Sequence, residues 1–100
     1  MIIIDHEPHT WFLAEAPEGM YFDVHCSHGA VSYGIAIKLS AEELAEYGRR
    51  GHAYLNALAE EIHYSAPGVI GSSSLYAGRR VAAELAAELD AAINAWQASQ

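Results

Sequence analysis

The stretch MYFDVHCSHGAVSYGIAIKL, residues 20–39, predicts a β-hairpin and is the strongest structural signal in the chain. Apolar and polar side chains alternate over residues 20–27 and again over 30–39, a pattern typical of strands with one buried face. His28-Gly29 separates the two runs and favours a two-residue turn. In that register the apolar side chains lie opposite each other as the pairs Cys26 with Val31, Val24 with Tyr33 and Phe22 with Ile35.

Two further strands are predicted before this hairpin. Ile2-Ile3-Ile4 is β-branched and is followed by a turn that contains Pro8, and residues 10–15 form a second short run. Pro17 followed by Gly19 is favourable turn chemistry, because proline presets φ and glycine tolerates positive φ. The runs together predict a four-stranded antiparallel β-meander.

The second half of the chain is predicted to be helical. Ser40 with Glu43 three positions later forms the capping-box pattern that satisfies free N–H groups at a helix start. An apolar stripe in helical phase then predicts one helix over about residues 41–64. A break between Gly48 and Gly51 is the alternative, since glycine weakens a helix.

A linker rich in turn-forming residues covers 65–71, and serines at 72–74 offer helix caps. A second apolar stripe, from Gly78 to Trp96, predicts another long helix. We therefore expect a single α+β domain over residues 1–100. Its four-stranded meander is followed by two long C-terminal helices packed on one sheet face, and the other face is wholly or partly open.

Charge and cysteine content limit the classes of partner. The formal net charge is −8, which repels phosphate backbones, so we expect no nucleic-acid partner and favour a basic protein surface. Cys26 is the only cysteine and is expected to be a small core residue. Because residues 1–9 carry no basic side chain and only a short apolar run, we expect no secretory signal, no membrane association and a cytoplasmic location.

Two sets of residues invite a catalytic or metal-binding interpretation. His6, His9, His25, Cys26 and His28 include ligand types for zinc, but neighbouring strand residues point to opposite faces, so we expect no metal site and no cofactor. Asp23, His25 and Ser32 have the residue types of a nucleophilic triad. Asp23 lies about 7 Å along the strand from His25, too far to orient the imidazole, so no catalytic residue is assigned.

The open sheet face offers a candidate surface for a protein partner. Tyr21, Asp23 and His25 share that face, and Phe12 joins it in one register of the first hairpin. The small residues Ser32, Gly34 and Ala36 opposite them leave a shallow groove that a partner could fill. Phe12, Tyr21, Asp23 and His25 are therefore the predicted partner-binding residues.

Arginine pairs suggest an alternative site for an anion. The four side chains concerned are Arg49, Arg50, Arg79 and Arg80. Paired guanidinium groups bind carboxylates and phosphates. The same arginines are also placed to neutralise glutamates on the same or the neighbouring helix, namely Glu42, Glu43, Glu46 or Glu84.

These patterns favour a non-enzymatic acidic module that docks a protein partner, in the manner of an inhibitor, an immunity protein or a chaperone. The alternative is a small anionic-ligand-binding protein or enzyme that uses an arginine pair. An alanine-rich last helix with Trp96 near its end also suggests a homodimer through that helix, unless Trp96 folds back on its own core.

Overall fold

The computed structural model describes residues 1–28, 31–65 and 76–100. Four antiparallel strands form one sheet in the order β1-β2-β3-β4, and helices follow them, so the predicted α+β class and meander are confirmed. The elements are β1 (Ile2–Glu7), β2 (Trp11–Ala16), β3 (Gly19–His28), β4 (Val31–Lys38), α1 (Ala41–Arg50), α2 (His52–Ser65), a short 3₁₀ helix (Ala77–Arg79) and α3 (Ala83–Ala98).

The hairpin between β3 and β4 differs from the predicted register by two residues. The pairs are Cys26 with Tyr33, Val24 with Ile35 and Phe22 with Ile37. Pairing continues to His28 and Val31, so β3 includes His28, the first residue of the predicted turn. Gly29, the other residue of that turn, lies outside the described residues. Because side chains alternate between faces with a period of two, a shift of two residues leaves every side chain on its predicted face.

The first helical segment is divided into α1 and α2, which is the alternative that the glycines suggested. Ser40 caps α1 as predicted: its hydroxyl accepts from the Glu43 N–H, and the Glu43 carboxylate accepts from the Ser40 N–H. Gly51 ends α1 with φ of 64°, a conformation that glycine adopts without steric cost. Within the described ranges, no helix combines the length and apolar character that crossing a membrane requires.

One face of the sheet packs against α1 and α2. Its buried side chains are Trp11, Leu13, Phe22, Val24, Cys26, Ile35, Ile37, Leu39, Leu55, Leu58, Ala59 and Ile62. Cys26 is a fully buried member of this core, as predicted, and burial raises the pKa of its thiol. The helix break lets α2 continue over the sheet while α1 packs beside it.

The last helix differs from the expectation that both helical segments share one face. Leu89 and Ile93 of α3 pack with Ala14 and Tyr21, whose side chains lie on the opposite side of the sheet from the first core. Further apolar neighbours are Met1, Ile3, Phe12, Ala16, Ala36, Val81 and Leu85. Much of the apolar surface on this second face belongs to β1 and β2. Packing of α3 on the sheet buries that surface. Helices therefore lie on both faces of the sheet. The face that was predicted to be open is partly covered by α3 and partly open.

The chain reaches this second face along the edge of β4. Arg79 donates to both carboxylate oxygens of Glu43, at 2.6 and 2.9 Å, and to the Lys38 carbonyl oxygen at 2.9 Å. Arg80 forms an isolated bridge with Ile37, and the Val81 N–H donates to the Ala36 carbonyl oxygen at 3.0 Å. These contacts hold the segment before α3 against the sheet edge.

Candidate functional site

A groove of about 500 Å³ opens on the second face, between the C-terminal end of α3 and the sheet. The volume lies within the range of small-ligand pockets, roughly 300–1,000 Å³. The groove is lined by His6, Pro8, His9, Thr10, Trp11, Phe12, Asp23, His25, Trp96 and Gln97. Segments from β1, β2, β3 and α3 therefore contribute to one site.

Strand pairing places the central residues of the groove side by side. Phe12 lies directly opposite Asp23, so the aromatic ring and the carboxylate are neighbours on the same face. On the other side of β3, Ala36 pairs with Asp23 and Gly34 pairs with His25. A Cβ atom on Gly34 would lie 3.6 Å from the Asp23 Oδ1 atom. Glycine and alanine thus leave space beside the carboxylate, as the sequence suggested.

Three rings form an aromatic wall. The Trp96 ring lies 4.5 Å from the His6 ring and 5.6 Å from the Phe12 ring, and His6 stacks on Phe12 at 5.8 Å. Trp96 is half-buried and folds back on its own sheet, which is the alternative considered for it. The exposure argument for a dimer through Trp96 no longer applies, and the homodimer stays a prediction without structural support.

The Asp23 carboxyl group is the most perturbed ionisable group of the groove. Burial and, to a smaller extent, the negative charge of Asp90 on α3 raise its pKa to about 6. In the part of the chain that the structure describes, Asp23 forms no salt bridge with a lysine, arginine or histidine. The groove therefore contains a half-buried acid that no cation among the described residues neutralises.

His25 and Ser32 form a hydrogen-bonded pair at the exposed end of this face. The Ser32 hydroxyl lies 3.2 Å from the His25 Nε2 atom, a diagonal contact because Ser32 is paired with Ser27 and His25 with Gly34. No hydrogen bond joins Asp23 to His25 within the described ranges. The arrangement thus lacks the carboxylate contact that orients a catalytic histidine.

Of the four predicted partner-binding residues, Phe12, Asp23 and His25 line the groove, and Tyr21 does not. Tyr21 is only 3% exposed: it packs under Leu89 and donates its hydroxyl hydrogen to Glu18 Oε1 at 3.1 Å. The expectation that Tyr21 is an accessible contact is therefore corrected, because α3 covers it.

Sequence reasoning missed the contributions of β1, the following turn and α3 to the groove. His6 is placed opposite Phe12 by a register shift between Ile3 and Asp5, an irregularity that alternation of side chains does not reveal. His9 lies in the turn with φ of 65°. The only available signals were the His6, Pro8 and His9 cluster and the position of Trp96, and neither indicated that these segments meet.

The arginines of the alternative site are engaged with glutamates or exposed. Arg79 binds Glu43, and this contact lowers the pKa of the Glu43 carboxyl group. Arg49 and Arg50 lie 3.2 and 3.7 Å from Glu46 on the same helix. Arg80 is exposed at the edge of β4. The neutralising role considered for these arginines is thus observed for three of them.

A second polar cluster lies where β1 meets the helices. The two ring nitrogens of His52 lie 2.9 Å from Asp5 Oδ1 and 2.7 Å from Glu7 Oε2, and the Tyr47 hydroxyl donates to Asp5 Oδ2 at 3.1 Å. Ionised carboxylates only accept hydrogen bonds, so both contacts are hydrogen bonds when the ring is protonated and both of its nitrogens donate. These hydrogen bonds raise the pKa of His52, and the cluster fastens the edge strand to the start of α2.

We expect the stability of the protein to fall as the pH rises above about 6.5, the ordinary histidine value. The folded pKa of His52 is raised, so its contribution is complete below the unfolded pKa and is lost as the pH passes through the folded pKa. The side chain is 40% exposed, so solvent screening limits the loss to about 1 kcal/mol. Urea unfolding between about pH 7 and 8.5 measures the loss, above most of the range in which Asp23, with a pKa of about 6, ionises.

His52→Gln should flatten this pH dependence, because glutamine does not titrate. His63→Gln is the control on the same helix, where the His63 Nε2 atom contacts the Ser27 carbonyl oxygen at 2.8 Å. An unchanged slope in His52→Gln would contradict the assignment of the cluster.

Within residues 1–28, 31–65 and 76–100, no three histidine, cysteine, aspartate or glutamate side chains are grouped so that they could hold a metal ion. Comparison of the chain with models of protein families, with curated proteins and with solved structures finds no match. Functional inference therefore depends on the groove and its chemistry.

Proposed function

We propose that this chain is a non-enzymatic protein-binding module that docks a segment of a basic protein partner in the groove beside Asp23. The observation that carries this proposal is the combination, in one groove, of an aromatic wall and a half-buried carboxylate that pairs with no cation in the part of the chain that the structure describes. Aromatic side chains supply large contact area at protein interfaces, and a desolvated charge supplies specificity.

The net charge supports a basic partner. With thirteen acidic and five basic residues, the chain attracts positively charged surfaces at long range, and such attraction increases the rate of encounter. An acidic inhibitor, immunity protein or chaperone would use its charge in this way. A cytoplasmic location and a partner of that kind are parts of the proposal.

Binding is favoured over catalysis by the geometry of the polar groups. His25 and Ser32 are exposed, and among the described residues no carboxylate contacts the second ring nitrogen of His25. Asp23 is perturbed by burial and by a like charge and is not hydrogen-bonded to a candidate base. The arginine-based alternative has no comparable support, because Arg79 already binds Glu43 and a backbone carbonyl.

Selection of binding peptides from a random displayed library tests the docking site. We expect enriched peptides whose affinity falls by at least about tenfold in Phe12→Ala, which removes part of the wall, and in Gly34→Val, which adds side-chain atoms beside Asp23. Tyr64→Ala is the control, since Tyr64 is 78% exposed and lies on α2. Circular dichroism verifies that each variant is folded.

Two results would contradict the proposal. One is a failure to enrich any peptide over a library without the protein. The other is a set of enriched peptides that bind Phe12→Ala and Gly34→Val as tightly as the unchanged chain.

A further inference from the structure

We propose that the groove recognises an arginine side chain of the partner, whose guanidinium group pairs with Asp23 and lies against the rings of Phe12 and Trp96. This inference rests on the proposed function and names the chemistry of the segment that docks. Three observations support it. Two concern the groove, namely its uncompensated carboxylate and its aromatic rings, and the third is a similar arrangement of side chains elsewhere in the chain.

The first feature is the uncompensated carboxylate. Charged groups that lose contact with water are normally paired, because their desolvation is otherwise unfavourable. Asp23 is half-buried, is repelled by the negative charge of Asp90 on α3, and has no cationic partner among the described residues. The raised pKa of Asp23 is the expected consequence of that environment. A cation supplied from outside would remove the imbalance.

The second feature is the aromatic surface beside that carboxylate. Phe12 is the direct cross-strand neighbour of Asp23, and Trp96 meets Phe12 edge-on at 5.6 Å. Aromatic faces attract cations, and the planar guanidinium group stacks on a ring while it donates to a carboxylate. Lysine, as a strongly hydrated point charge, gains less from this combination.

The third feature is an internal precedent in the same chain. Arg79 donates to both oxygens of Glu43 while its guanidinium carbon lies 5.7 Å from the Tyr76 ring centroid. That cluster consists of a carboxylate, an arginine and an aromatic ring. The groove presents the carboxylate and the rings, and the arginine is the component that it lacks in the described residues.

Titration of the ¹⁵N-labelled protein with N-acetyl-arginine amide tests the inference directly. We expect shifts concentrated on the Trp96 indole N–H and on the amides of Phe12, Asp23 and His25. The neutral isostere N-acetyl-citrulline amide should bind at least about tenfold more weakly, and N-acetyl-lysine amide should fall between them. The citrulline comparison isolates the charge, because the two ligands have nearly the same shape.

Two variants with equal change in net charge separate the local site from long-range attraction. Asp23→Asn should abolish the preference for the arginine ligand over the citrulline ligand. Glu60→Gln, at an exposed position on α2, should retain it. The spectrum of each variant without ligand reports directly whether it is folded.

The outcomes also distinguish this inference from the proposed function. Equal binding of the arginine and citrulline ligands, shifts outside the groove, or an unchanged preference in Asp23→Asn would overturn the arginine site. If displayed peptides without arginine still bind in the groove, the docking function stands and the arginine site fails. If the arginine ligand binds in the groove but no peptide docks there, the arginine site stands and the docking function fails.

Discussion

Trp11→Ala is expected to lower the free energy of unfolding by about 3–5 kcal/mol, the usual cost of truncating a large buried aromatic side chain. Trp11 is 1% exposed and packs against the Phe22 ring at 5.3 Å. Its indole N–H donates to the Asn56 Oδ1 atom at 2.9 Å, which joins β2 to α2. The substitution therefore leaves a cavity in the first core and an unsatisfied amide oxygen.

Urea unfolding followed by circular dichroism measures this loss. Trp11→Phe keeps most of the ring volume and should cost less than Trp11→Ala. Trp96→Ala is the matched control, because Trp96 is only half-buried at the groove, and its loss should be clearly smaller. Equal losses for the two tryptophans would contradict the assignment of Trp11 to the centre of the core.

Tyr21→Ala is expected to cost about 3 kcal/mol, because the side chain is buried between the sheet and α3. Tyr21 is 3% exposed and belongs to the small second core with Ala14, Leu89 and Ile93. The substitution removes most of the aromatic area of that core, together with the hydrogen bond to Glu18. This prediction tests the position of α3, since an open face would make Tyr21 a surface residue.

Tyr64→Ala provides the comparison for Tyr21→Ala. Tyr64 is 78% exposed, so its truncation should change the free energy of unfolding by no more than about 0.5 kcal/mol. Unfolding measured by urea titration should thus separate the two tyrosines clearly. A cost for Tyr21→Ala as small as that for Tyr64→Ala would mean that α3 does not cover the second face.

The groove shows where reasoning from sequence succeeded. Asp23 and His25 were assigned to one face by the alternation of side chains, and that assignment survived a register shift of two residues. Gly34 and Ala36 were expected to leave space beside them, and they pair with His25 and Asp23 in the sheet. Such features depend on a period that each strand carries locally.

The same site also shows where that reasoning ended. Tyr21 lies two residues from Asp23 on the same strand, so alternation places both side chains on the same face. Tyr21 is buried because α3 packs over it, which alternation does not predict. His6 and Trp96 enter the groove from opposite ends of the chain, and their meeting depends on the β1 register shift and on the path of α3. Neither is encoded in a short window of residues.

Local sequence was sufficient for the meander, the capped start of α1 and the burial of Cys26, because each depends on side-chain periodicity or backbone preference within a few residues. It offered the glycine break before α2 only as an alternative to one continuous helix. The face taken by α3 depended on long-range packing. Apolar area from β1 and β2 is buried only when the chain passes the β4 edge at Arg79, Arg80 and Val81 and returns across the sheet. That path covers Tyr21, leaves Asp23 half-buried and brings Trp96 to Phe12. These outcomes depend on which elements meet in space, because burial of apolar surface depends on the elements in contact and not on their order in the chain.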